Sequence, residues 1–274
     1  MTVVENDFRK LESLAKTVRR YILDMICRTK GPHIGPSFSC VELLVALYFH
    51  ALKNSPDYPE DPERDRFIFS KGHASPALYA VLFERGFIAQ KDMEGFAVNG
   101  GILQQHPDCN LRRGIEFSTG SLGHGLSVAA GMAYALKKDG NPARVFVMIS
   151  DGELNEGSTW EGVLFAAHHK LDNLVLVIDY NHMQALGVTH DTIELDPLER
   201  KFAAFNWVPM TIDGHSFPAI LSAYDSARRE SGKPSVIVAE TVKGKGVSFM
   251  ENELCWHYNC PNSHEYAMAC EELR

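Results

Sequence analysis

The sequence runs to 274 residues, 45% hydrophobic and 23% charged, enough chain and enough apolar side chain to bury the core of one large α/β domain. A net charge of −8 and a pI near 5.8 argue against a nucleic-acid-binding or anionic-membrane-binding surface, so an anionic substrate must be met by local cations. The charged N-terminal segment lacks the apolar stretch of a signal peptide, no apolar run approaches the ~20 residues of a membrane span, and the six cysteines form no Cys-x-x-Cys pair; the expectation is a cytoplasmic protein with reduced thiols.

Apolar residues Phe8, Leu11, Leu14, Ala15, Val18, Ile22 and Met25 recur at helical spacing and predict an amphipathic helix over residues 6–28. Gly31-Pro32-His33-Ile34-Gly35-Pro36 breaks it, and Ser39 with Glu42 three positions on reads as a capping box before a second helix. That leaves His33 on a rigid loop between helices. A Pro-rich acidic linker over residues 55–62 precedes a short strand, Phe67-Ile68-Phe69. Ser70-Lys71-Gly72-His73-Ala74-Ser75-Pro76 then turns into a helix over residues 77–85, placing His73 at a strand-to-helix corner. His106-Pro107-Asp108 lies in the polar stretch that follows. The glycines of Ser118-Thr119-Gly120-Ser121-Leu122-Gly123-His124-Gly125-Leu126 either bring backbone close to a flat ring or simply pack the helix that starts near Leu126.

The centre of the chain is a strand, helix, strand unit. One apolar run, residues 145–149, ends at Ser150-Asp151-Gly152, and a second, residues 174–178, ends at Asp179-Tyr180-Asn181. Thirty residues separate Asp151 from Asn181, about what one crossover needs to return alongside, so both oxygens fall at the carboxyl ends of neighbouring parallel strands, where open sheets bind ligands. An Asp-Gly pair after a strand is usually only a turn. A carboxylate and an amide oxygen together, however, suit Mg²⁺ or Ca²⁺, with a diphosphate completing the shell. Gly152 would let backbone approach that diphosphate. Beyond, residues 207–212 and 236–239 read as strands with a helix over residues 218–229 between them. Asp213-Gly214-His215 ends the first strand. The second runs into Thr241-Val242-Lys243-Gly244-Lys245-Gly246, either a surface turn or a cationic clamp for phosphate. The tail, residues 263–274, reads as an exposed helix. No repeat or second-domain boundary is visible, so one domain over residues 1–274 is expected.

Asp151-Gly152-Glu153-Leu154-Asn155-Glu156-Gly157, followed by Asn181, resembles the thiamine-diphosphate signature as transketolases carry it. Arg64-Asp65-Arg66-Phe67, Ser70-Lys71-Gly72-His73-Ala74, His106-Pro107-Asp108, the glycine run from Ser118 to Leu126, and Lys243 with Trp256-His257 extend the likeness to the family's amino-terminal domain. It covers about residues 8–268. Ser150 stands where the family usually has Gly, and Tyr258-Asn259 where it commonly has Gly and a basic residue.

The resemblance implies a mostly parallel α/β sheet with helices on both faces and a two-carbon ketol transfer. Asp151, Asn181 and the main-chain carbonyl of Met183 resemble ligands of Mg²⁺, with Ca²⁺ an alternative. Gly152, Glu153, His73, Lys243 and His257 correspond to the diphosphate-binding groups, and Gly120 and Leu122 to those touching the cofactor's rings. His33, His106 and His257 resemble histidines that line the substrate channel and shuttle protons, a role suited to an unperturbed pKa near 6.5. Glu156 and Glu161 resemble interface glutamates, although a solvated helix face is the ordinary reading. The family's pyrimidine-binding domain is missing from this sequence, which implies a carboxyl-terminal partner subunit, an α₂β₂ assembly, and sugar or sugar-phosphate substrates. Three alternatives stay open: a deoxyxylulose-phosphate-synthase-like relative, a transketolase-like subunit for an unusual sugar, and a catalytically silent cofactor-binding subunit.

Overall fold

The computed structural model describes residues 3–274, so Met1 and Thr2, at the head of the segment that lacks an apolar leader stretch, lie outside the described residues. The chain folds as α1 (Val3–Thr29), α2 (Ile34–Ser39), α3 (Val41–Ala46), β1 (Arg66–Phe69), α4 (Ser75–Glu84), α5 (Gln90–Glu94), α6 (Gly125–Lys138), β2 (Val145–Ser150), α7 (Gly157–His168), β3 (Leu174–Tyr180), α8 (Thr189–Thr192), α9 (Leu198–Ala204), β4 (Val208–Asp213), α10 (Phe217–Arg229), β5 (Ser235–Glu240) and α11 (Ser263–Glu272). Five strands form one sheet in the order β1-β2-β3-β5-β4, and every pairing is parallel.

Strands covered on both faces read as continuous apolar runs, and β2 and β3 are buried throughout. Successive side chains then feed two cores. Phe146, Met148, Val175 and Val177 point into the larger one, built with α1, α3, α4 and α10. Val145, Val147, Ile149, Leu174, Leu176 and Ile178 point into the other, with α6, α7 and α9. The expected parallel α/β architecture with helices on both faces is therefore present. Among the described residues no helix is long and apolar enough to cross a membrane.

Two sequence expectations fail. Ser39 does not cap a helix: it closes α2, and its hydroxyl donates to the Pro36 carbonyl at 3.1 Å and to Asp179 Oδ2 at 2.6 Å. Glu42, the other half of the supposed capping box, instead receives both Arg19 Nη1 and Nη2 at 2.7 Å. A buried guanidinium and a buried carboxylate outcompete a local cap because each would be costly to leave alone. The tail helix α11 is capped by Asn262, which accepts from the N–H groups of His264 and Glu265, but it is not simply exposed. Ala269, Cys270 and Leu273 are buried in the larger core.

Candidate active site

The strand tips bring the two predicted oxygens together. Ser150 pairs with Asp179 across β2 and β3, so Asp151 and Asn181 emerge from adjacent strands, spaced about 4.8 Å apart, at one edge of the sheet. Both are buried. Asp151 Oδ1 accepts from the Gly152 N–H at 2.8 Å and Oδ2 from the Thr189 hydroxyl at 3.1 Å. Asn181 Oδ1 accepts from the Met183 N–H at 3.2 Å. The Met183 carbonyl in turn accepts from Lys243 Nζ at 3.2 Å.

Burial, reinforced by the neighbouring charge of Asp179, pushes the Asp151 carboxyl up to about 6. Among the described residues Asp151 has no ion-pair partner within 4.0 Å. A buried carboxylate with only neutral donors is an unfilled demand for a cation. Lys243, wholly buried, is pushed down to about 8 by that burial despite the attraction of Asp151, and is correspondingly short of an anion. Carboxylate, amide and carbonyl oxygens fit a hard divalent ion, and the lysine fits its diphosphate. No group of three or more His, Cys, Asp or Glu among the described residues is arranged to hold a metal, so any such ion depends on this mixed oxygen set.

Three imidazoles converge beside Lys243. His33 sits at the N-cap of α2 with φ 74°, a left-handed conformation unusual outside glycine, and its N–H donates to the His257 carbonyl at 3.0 Å. Its ring lies 5.3 Å from that of His73 and 5.3 Å from that of His257, while His73 and His257 stack at 5.7 Å. Lys243 Nζ approaches His257 Nδ1 at 2.8 Å. Burial first, then Lys243, lowers His257 to about 3. Burial and the His106 ring lower His33 to about 4, and burial with Lys71 holds His73 well below its ordinary range. All three are therefore neutral near pH 7, each with one nitrogen to donate and one to accept.

His106 lies on an exposed loop, close enough for its charge to act on His33. A Cβ on Gly120, at φ +148°, would lie 2.9 Å from His106 Cδ2, and a Cβ on Gly72 would lie 2.8 Å from the Gly120 nitrogen. Glycine at both places lets the loop carrying Gly120 and Leu122 close over the corner that carries His73. Glu153 lies beneath. It is wholly buried, accepts from Ser70 Oγ and from the Gly123 N–H at 3.0 Å, and burial raises it to about 7. Its carboxyl ties that loop to the end of β1. Glu156 and Glu161 stand apart from the cluster, exposed at the start of α7, near the exposed Leu164 and Phe165.

Sequence reasoning missed the layer below. Lys71 and Asp179, both with no exposed side-chain surface, form a buried ion pair. Lys71 Nζ also donates to the Pro36 carbonyl at 2.9 Å, and Thr241 Oγ1 donates to Asp179 Oδ1 at 2.5 Å. Burial alone would neutralise both, but their mutual attraction keeps Asp179 low and Lys71 high. Each residue stands inside a motif that the sequence makes visible; that the two meet is visible only in the fold.

Comparison with known proteins shows the family. The family model described as transketolase, thiamine diphosphate binding domain, matches residues 11–269. The 6-deoxy-6-sulfo-D-fructose transketolase subunit SqwG of Clostridium sp. (strain MSTE9) is 43% identical over 249 residues, covering 90% of each chain. An apulose-4-phosphate transketolase subunit of Actinobacillus succinogenes is 40% identical over 268 residues, covering 97% of each. The crystal structure of transketolase from Campylobacter jejuni superposes with a TM-score of 0.91 at 29% identity, over 100% of this chain but 43% of that one. The chain belongs to the transketolase family, and the part of that family it represents is the thiamine-diphosphate-binding domain.

Proposed function

We propose that this chain is the diphosphate-binding subunit of a transketolase divided between two polypeptides, folding as one domain and acting in the cytoplasm with a carboxyl-terminal partner subunit in an α₂β₂ assembly. The pair would transfer a two-carbon ketol unit from a ketose or its phosphate to an aldose or its phosphate. One observation carries the reading: Asp151 and Asn181 share neighbouring parallel strand tips, beside a buried lysine and three neutral imidazoles. Two relatives named as transketolase subunits match it over nine-tenths or more of their length, which supports the division.

Bound thiamine diphosphate supplies the electron sink for such a transfer. Asp151, Asn181 and the Met183 carbonyl would hold Mg²⁺, or Ca²⁺ in its place. Gly152, His73, Lys243 and His257 would meet the diphosphate. Gly120 and Leu122 would lie against its rings, with Glu153 bracing their loop from below. Substrate hydroxyls would be bound, and their protons moved, by His33, His106 and His257, which are ready for both tasks because a neutral imidazole donates and accepts at once. Glu156 and Glu161, on the exposed start of α7, would face the partner. The sugars named for the relatives, sulfofructose and apulose 4-phosphate, favour a less common sugar as substrate.

The test is reconstitution with a carboxyl-terminal transketolase subunit. Turnover of a ketose and aldose pair is expected only when both chains, thiamine diphosphate and a divalent cation are present. Turnover by this chain alone at ordinary enzymatic rates, roughly 1 to 10³ s⁻¹, would overturn the division. A pair that binds the cofactor and stays inert toward every ketose and aldose couple would make this a silent cofactor-binding subunit instead.

A further inference from the structure

The motif Asp213-Gly214-His215, which ends β4, contributes no group to the metal, diphosphate or imidazole cluster, yet its histidine is bonded to that site's backbone. The Val242 N–H donates to His215 Nε2 at 2.8 Å, so Nε2 is the acceptor and the proton sits on Nδ1. Nδ1 faces Glu42 Oε2 at 3.0 Å and therefore donates to it. Glu42 is gripped by both terminal nitrogens of Arg19, and Arg19 Nη2 also donates to the Phe38 carbonyl at 3.1 Å. Burial opposes the ionisation of Glu42, but Arg19 and His215 hold it down at about 2. The chain of contacts runs from α1 through α3 to the residue immediately before Lys243. Arg19 and Glu42 are buried, so this is a braced strut rather than a surface pairing.

We infer that His215 is a positioning residue for the diphosphate site: Glu42 fixes its tautomer, and its Nε2 fixes the Thr241–Val242 peptide, which leads directly into Lys243. Local geometry supports a mechanical role. Thr241, on the other side of Val242, is held by Asp179, and Gly244 N–H donates to the Gly35 carbonyl at 3.1 Å. His215 is a side-chain anchor between these two, on the Thr241–Val242 peptide, one unit before the peptide that carries the lysine. Gly246, further along the same turn, packs so closely on Arg19 that a Cβ there would lie 3.0 Å from Arg19 Cδ. The Arg19, Glu42 and His215 strut thus touches the lysine turn on both sides of Lys243.

The inference rests on the reading of Lys243 as a diphosphate contact, and the test separates the two. Asparagine at 215 retains a donor for Glu42 but is too short to accept from Val242, whereas glutamine can do both. Thiamine diphosphate is titrated calorimetrically into the chain reconstituted with its partner subunit, with Mg²⁺ present, and Tm is recorded for each variant. His215→Asn is expected to weaken binding about five- to tenfold, the worth of one lost hydrogen bond, and His215→Gln to restore most of it. In a Lys243→Ala background His215→Asn should have no further effect, because it acts through the lysine. Equal effects in both backgrounds, full wild-type affinity in His215→Asn, or a loss that tracks only the change in Tm would overturn the inference. Failure of the wild type itself to bind would overturn the proposed function, and the inference with it.

Discussion

Asp151 and Asp179 are a natural comparison: the same side chain, buried at the same edge of the sheet, at the ends of neighbouring strands, with carboxyl groups shifted in opposite directions. Asp179 is satisfied on all sides, by Lys71, Ser39 and Thr241, and stays ionised. Asp151 has one backbone N–H and one hydroxyl, and its carboxyl is pushed up to about 6, first by burial and then by Asp179 itself. A carboxylate completed by its own chain is scaffold. One left incomplete, beside a lysine with no ion-pair partner within 4.0 Å among the described residues, suits the metal and diphosphate site proposed above, and the finished pair holds the strand tips in place around the unfinished one.

Breaking the scaffold half should have the largest effect. Lys71→Met leaves Asp179 buried without its counter-ion, and the expected loss is about 3–5 kcal/mol of unfolding free energy, read from denaturant melts. Replacing both partners, Lys71→Met with Asp179→Leu, should recover much of that, since an apolar pair removes the uncompensated charge as well as the attraction. A single variant as stable as the wild type would show the buried pair to be dispensable and erase the contrast.

Breaking the ligand half should do the reverse. Asp151→Asn removes a charge the free chain cannot satisfy, so Tm without ligand should hold or rise. Mg²⁺-dependent binding of thiamine diphosphate should fall at least about a hundredfold, more than for a residue that only supports a ligand. Calorimetric titration with and without Mg²⁺, alongside melting curves, checks both halves. Metal-independent binding unchanged by the substitution would remove Asp151 from the metal site.

The same contrast explains what could be read from the sequence. Asp151 and Asn181 were legible because strand, crossover and strand impose a spacing, and the parallel pairing then brings both tips together whatever packs around them. The apolar runs marked both segments as strands; that both are covered on two faces is seen in the fold. The destiny of Asp179 was not legible, since its partner Lys71 lies 108 positions away and nothing in local pattern joins them. Ser39 failed for the same reason: a three-residue spacing suggested a cap, while the hydroxyl was claimed by Asp179 from across the fold. In α11 the apolar positions Ala269, Cys270 and Leu273 already carried a helical stripe, and the expectation of exposure underread it.

The smallest expected effect concerns the imidazoles over the ligand half. His33 and His257 have folded-state values near 4 and 3, against about 6.5 in an unfolded chain. Between those limits the unfolded state binds more protons, so stability rises with pH there. Their contribution is fully present above about pH 6.5 and is lost as pH falls through the folded values. His33→Asn, which cannot take up that proton, should flatten the acid limb of a Tm profile between pH 6.5 and 4, by roughly 1 kcal/mol or less because the ring is part-exposed and screened. The basic limb should not move. An acid limb as steep as that of the wild type would mean that His33 is not held neutral, and that the cluster could not both donate and accept near pH 7.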